Sequence, residues 1–68
     1  MNEEKMNMEM RKFLKQFGVT SQQKIEHALF KAIEEGRLQG NETLTVKATL
    51  ELPELGVTHV VEGSIGLQ

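Results

Sequence analysis

The 68-residue sequence contains no cysteine, no tryptophan and no tyrosine, and only one proline. Without cysteine the chain cannot form disulfides, and it cannot form the cysteine-ligated zinc sites that stabilise many small domains. No apolar run approaches the roughly 20 residues that are needed to cross a bilayer. The opening segment carries Glu3 and Glu4 where a secretory signal would be basic. We therefore expect a cytoplasmic protein with no membrane partner.

The length of the chain limits how much core it can form. Natural domains rarely contain fewer than about 50 residues, so residues 1–68 are expected to form a single α+β domain. A domain of this size buries only about 60% of its unfolded surface, which makes its core marginal. With disulfides and cysteine-bound zinc excluded, close packing or a second copy of the chain must supply the missing stability.

The first half of the chain has the apolar spacing of amphipathic helices. One apolar stripe consists of Met6, Met10, Phe13, Leu14 and Phe17. Gly18 follows and can end a helix, and Thr20-Ser21-Gln22-Gln23 has the pattern of a capping box that starts another. A second stripe consists of Ile25, Ala28, Leu29, Ala32 and Ile33, and Gly36 stops it. The pattern predicts two helices that meet around Gly18.

The second half alternates between apolar and polar residues, as half-buried strands do. The apolar positions of the first strand are Leu44, Val46, Ala48, Leu50 and Leu52. Pro53-Glu54-Leu55-Gly56 supplies turn residues, and alternation resumes at Val57. A four-residue loop pairs Leu52 with Val57, Leu50 with His59 and Val46 with Gly63. The predicted fold class is α+β, with two N-terminal helices followed by a C-terminal antiparallel β-hairpin.

The edges of this hairpin suggest how the chain could gain stability. An isolated two-stranded hairpin is marginal in water, and the long first strand carries few charges that would protect its edge. We therefore expect a homodimer in which two hairpins join through their edges. The alternative is that the helices cover enough of the hairpin to keep the chain monomeric.

Residues suited to catalysis or metal binding are few. His27 and His59 are the only histidines, and they lack the spacing of zinc ligands. His27 falls on a polar helix face, whereas strand alternation places His59 on the apolar face, where it is either a core residue or a functional one. The sequence contains no glycine-rich phosphate loop and no acidic calcium loop. We expect no enzymatic activity, no metal and no cofactor.

Nucleic-acid binding is the alternative function. Two helices joined by a turn and followed by a hairpin are typical of part of a winged helix-turn-helix domain. Its contacts would come from Lys12, Lys15, Gln23, Lys24 and His27. Three features disfavour it: no helix precedes the first, Glu34 and Glu35 share the putative reading face, and the wing carries glutamates. In addition, Phe13, Phe17 and Phe30 look internal and so unavailable for stacking on bases.

The leading interpretation is a non-enzymatic module that binds a protein partner or has a structural role. Phe30 lies away from the centre of its stripe, so it is the candidate for contact with an unidentified protein partner. The alternative is that Phe30 packs on the hairpin edge.

Several segments of the sequence resemble a small bacterial family of uncharacterised proteins, catalogued as a domain of unknown function. The resemblance rests on Met8–Gln22, which includes Arg-Lys-Phe-Leu-Lys and Gly-Val-Thr-Ser-Gln, on Gly40–Leu44, and on the opening Met1-Asn2-Glu3. It covers the whole chain and implies a bacterial, stand-alone protein. It implies no activity, ligand or site residue.

Overall fold

The computed structural model describes residues 1–68 and contains one long helix followed by a hairpin. Helix α1 spans Glu3–Glu34, strand β1 spans Thr43–Leu52 and strand β2 spans Val57–Gly66, with a short 3-10 helix at Pro53–Leu55 between the strands. The chain divides into two compact units, Met1–Arg37 and Leu38–Gln68. The α+β class is confirmed.

The prediction of two helices is wrong, because α1 runs without interruption through Gly18 and Thr20. Gly18 is not among the glycines with positive φ, so it does not take the left-handed conformation that ends a helix. The Thr20 hydroxyl does not cap a new helix. It donates instead to the main-chain oxygen of Gln16, at 2.8 Å. Threonine in a helix interior commonly makes this bond to the residue four positions earlier.

Both ends of α1 are capped. At the start, the Asn2 side-chain oxygen accepts a 3.0 Å hydrogen bond from the Lys5 amide, as an N-cap residue does. At the end, the Gly36 and Arg37 amides donate to the Ile33 and Ala32 carbonyls, respectively, and Gly36 has a φ of 77°. This pair of bonds is a Schellman motif. The prediction that Gly36 ends the helix is therefore confirmed.

The hairpin has the predicted register. Leu52 lies opposite Val57, Leu50 opposite His59 and Val46 opposite Gly63, in one antiparallel pair of strands. Directly opposed residues project to the same face of a sheet, so the apolar residues of β1 share a face with Val57, Val61 and Ile65 of β2. Gly56 has a φ of 63° and completes the turn, where glycine avoids the strain that a side chain would create.

Very little of the chain is buried. Ala32, with 7% of its surface exposed, is the only residue in the buried class. Along the apolar face of the hairpin, Leu44, Val46, Ala48, Leu50 and Ile65 are half-buried. On the second half of α1, Ser21, Ile25 and Leu29 are half-buried. The single chain therefore has no core of fully buried large side chains.

Candidate functional site

All five residues predicted to contact nucleic acid lie on the single helix α1, and all are exposed. They extend from Lys12 to His27, a distance of about 22 Å along a helix that rises 1.5 Å per residue. The winged helix-turn-helix arrangement needs a turn between two helices, and α1 has none. The five side chains are therefore spread along one continuous helix and are not divided between a positioning helix and a recognition helix.

The two histidines lie in different units. His27 is an exposed residue of α1, and His59 is an exposed residue of β2 opposite Leu50, so the strand register places His59 on the apolar face as predicted. The structure contains no group of three or more histidine, cysteine, aspartate or glutamate side chains that could hold a metal ion.

The most prominent apolar surface is on the first half of α1. We call it the arm stripe, and it consists of Met6, Met10, Phe13, Leu14 and Phe17. All five side chains are exposed, with Phe13 at 56%. The expectation that Phe13 and Phe17 are internal is therefore wrong for the single chain. Exposed apolar patches of this kind mark interaction surfaces when they are contiguous.

The arm stripe continues into the second half of α1 with a period of eleven residues. Met6, Phe17 and Ala28 are eleven residues apart, as are Met10, Ser21 and Ala32. Eleven residues exceed three full helical turns by only about 20°, so these positions stay close to one face. An eleven-residue spacing also leads from Leu14 to Ile25, although from Phe13 it leads to Lys24, and a seven-residue spacing from Met10 and Phe17 leads to Lys24 and Lys31. The helix is therefore one amphipathic element. The spacing of its apolar residues could have predicted that its apolar face continues across Gly18.

Phe30 is the most exposed of the phenylalanines, at 70%, so the expectation that it is internal is also wrong for the single chain. At 100° per residue, Phe30 lies well away from the arm stripe, close to the line of Met8 and Val19. Both of these residues are exposed as well, and the three are eleven residues apart. The exposure of Phe30 fits contact with a partner, and that role remains a prediction.

A second exposed apolar surface lies at the turn of the hairpin. We call it the turn patch, and it consists of Leu52, Leu55, Val57 and Val61. Leu52 and Val57 are directly opposed, and Val61 lies on the same sheet face opposite Ala48. Leu55, in the 3-10 turn, is 73% exposed. The sequence pattern placed Leu52, Val57 and Val61 on the apolar side of the hairpin and Leu55 in the turn, but it did not predict that they would remain uncovered.

The two apolar surfaces lie in segments of opposite charge. The segment from Lys5 to Phe17 contains four basic residues and one glutamate, a net charge of +3. The unit Leu38–Gln68 contains one lysine and four glutamates, a net charge of −3. Glu51 and Glu54 stand in and beside the turn. Complementary fields of this kind attract two surfaces and align them.

Glu42 organises the loop that leads into β1. Its two carboxylate oxygens accept hydrogen bonds from the Gln39 amide at 2.8 Å and the Gly40 amide at 3.0 Å. The hydrogen bond from the Gln39 amide has the largest effect, and it lowers the pKa of Glu42 from its ordinary value of 4.5. Partial desolvation opposes this effect, and the bond from the Gly40 amide lowers the pKa further. The main-chain oxygen of Glu42 also accepts from the Leu67 amide at 2.9 Å. Glu42 therefore ties the start of the hairpin to its end, which is a structural role.

Comparison with known proteins gives one match. The model of a family described as "Family of unknown function (DUF6494)" matches residues 1–68. No curated protein and no solved structure matches the chain. None of its helices has the length and apolar character that crossing a membrane requires.

Proposed function

We propose that this chain, which belongs to that family of unknown function, is a non-enzymatic structural or interaction module that works as a homo-oligomer. The observation that carries the proposal is the lack of a core: only Ala32 is buried, while the arm stripe and the turn patch are exposed. A folded domain that leaves most of its large apolar side chains in water lacks the main driving force of folding.

The exposed area supports the same proposal. The chain exposes 6208 Å² of surface, whereas a folded monomer of 7.7 kDa exposes about 4,300 Å². The excess is roughly 1,900 Å² per chain. If two copies covered that excess on each other, the interface would total about 3,800 Å², which lies within the range of obligate homodimers.

The hairpin offers one surface for self-association. The sheet has two strands only, so each strand has one unpaired edge whose amide and carbonyl groups can accept another strand. In β1 the only charged residues are Lys47 and Glu51. Joining two hairpins through their edges would give a four-stranded sheet, which is large enough to be stable with a helical layer on it. Contact with an unidentified protein through Phe30, a cytoplasmic location and a bacterial origin remain predictions.

The proposal is tested by thermal unfolding, followed by circular dichroism, over a roughly 100-fold range of protein concentration. If folding and association are coupled, a 100-fold increase in concentration stabilises the dimer by about 2.7 kcal/mol, which raises the midpoint temperature by roughly 5–10 °C. A cooperative transition with the same midpoint at all concentrations would show that the monomer is stable alone, and it would contradict the proposal.

A further inference from the structure

We propose that the arm stripe of one copy packs on the turn patch of a second copy, and that the contact is reciprocal. This inference rests on the proposed self-association and specifies which surfaces meet. Each copy then contributes its helix to one of two identical contacts and its hairpin to the other. A reciprocal arrangement of this kind closes as a twofold dimer and leaves no further copy to recruit.

The first support is length. Helix α1 contains 32 residues and is therefore about 48 Å long. The strands contain 10 residues each, which corresponds to about 33 Å. One hairpin is thus shorter than the helix by roughly 15 Å. A hairpin of this length cannot cover the whole apolar face of α1, whichever copy it belongs to.

The second support is the distribution of exposure within each unit. On α1, half-buried positions occur only from Ser21 onward, and every residue of the arm stripe is exposed. On the hairpin, the half-buried positions of the apolar face extend from Leu44 to Leu50, and the turn patch is exposed. The arm stripe and the turn patch are thus both apolar and both exposed in the single chain, so each can bury the other.

The third support is charge complementarity. Pairing two arm stripes would bring two segments of net charge +3 together, and pairing two turn patches would bring together two units of net charge −3. Pairing the arm stripe with the turn patch brings the segment Lys5–Phe17, of net charge +3, to the unit Leu38–Gln68, of net charge −3. Like-charge contacts oppose association, and opposite charges steer it.

Cysteine cross-linking tests this pairing directly, because the natural chain has no cysteine to interfere. Two single variants, Phe13→Cys and Val61→Cys, are prepared with different affinity tags, mixed under native conditions and treated with a short bismaleimide. The reciprocal contact predicts that the mixed species is the main product. Since each chain carries one cysteine, this species can arise only between copies.

Other products would overturn the inference in distinct ways. A predominant link between two Phe13→Cys chains would show that arm stripes pair with each other. A predominant link between two Val61→Cys chains would place two hairpins face to face. Either result, or the absence of any link in a chain that sediments as a dimer, overturns the stripe-to-patch contact and leaves the proposed self-association intact. A monomeric natural chain overturns both.

A complementation measurement checks the same contact without cross-linking. Phe13→Glu and Val61→Lys should each raise the dimer dissociation constant roughly 30-fold or more, as changes at the centre of an interface do. A mixture of the two variants should associate better than either alone, because a mixed dimer retains one unaltered contact. No gain on mixing contradicts the reciprocal geometry. Binding of the natural chain to phosphatidylglycerol vesicles through Phe13, with dimerisation unaffected by Phe13→Glu, would assign the arm stripe to a membrane surface instead.

Discussion

The Thr20 hydroxyl donates a 2.8 Å hydrogen bond to the main-chain oxygen of Gln16, one turn earlier in α1. A second, longer contact of 3.4 Å joins it to the Phe17 oxygen. The hydroxyl that could have capped a new helix is therefore committed to the preceding turn of the same helix. The bond lies within a helix that runs without interruption from Glu3 to Glu34.

Replacement of Gly18 by alanine should stabilise the protein. Glycine in a helix interior is about 1 kcal/mol less favourable than alanine, and a Cβ atom at Gly18 would meet no atom within 4 Å. We expect Gly18→Ala to raise the free energy of unfolding by about that amount, measured by urea denaturation at fixed protein concentration. Destabilisation by Gly18→Ala would indicate that the helix breaks there in solution.

Gly56→Ala is the matched control. A Cβ atom at Gly56 also has open space, but the φ of this residue is +63°. Side chains are strained in that conformation by roughly 1–2 kcal/mol. The two glycine substitutions should therefore have effects of opposite sign on the free energy of unfolding.

Glu42 should contribute to the pH dependence of stability. Its pKa is lower in the folded chain than its ordinary value of 4.5, because of the hydrogen bonds from the Gln39 and Gly40 amides. This carboxylate therefore stabilises the folded state above its unfolded pKa, and the contribution is lost as the pH falls through the lower, folded pKa. Glu42→Gln should reduce the loss of stability in this acidic window.

The measurement is a series of denaturation curves from about pH 6 to about pH 3, a range that brackets the titration of carboxylates. Glu62→Gln, a change on an exposed residue of β2 away from the turn, serves as the control for removal of one negative charge. Parallel curves for the natural chain and Glu42→Gln, with no difference in slope below pH 4.5, would contradict the role assigned to the two amide hydrogen bonds.

Phe30 and Phe13 should behave differently when each is replaced by alanine. Phe30 lies away from the arm stripe and is 70% exposed, so Phe30→Ala should change the free energy of unfolding by less than about 0.5 kcal/mol and leave the oligomer intact. Phe13→Ala should weaken association because Phe13 lies at the centre of the arm stripe. Urea denaturation measures the free energy of unfolding, and size-exclusion chromatography with light scattering measures the oligomeric state of each variant. The reverse pattern would move the interface to the face of α1 that carries Phe30.

The hairpin could be predicted from the sequence in detail, including the opposition of Leu50 and His59. A period of two and a turn with Pro53 and Gly56 determine both the register and the faces, since a shift by one residue would turn every apolar side chain outward. The end of α1 at Gly36 was predictable for a similar reason, because a local glycine motif is sufficient to form it.

The continuity of α1 was not predicted, because the signals around Gly18 are compatible with two outcomes. Glycine lowers the stability of a helix only modestly, and threonine can cap a helix or bond back within it. The eleven-residue spacing of Met6, Phe17 and Ala28 was the signal that favoured one helix. The exposure of the arm stripe could not be read from its pattern, because an amphipathic face has the same sequence whether its own chain or another chain covers it.

Sedimentation equilibrium of the unmodified chain at several concentrations distinguishes an obligate dimer from a folded monomer. We expect a particle of twice the 7.7 kDa chain mass, which dissociates only on dilution. A folded particle of the single-chain mass at the highest concentration would contradict it, because the apolar surfaces of α1 and the hairpin would then be exposed without needing a second copy.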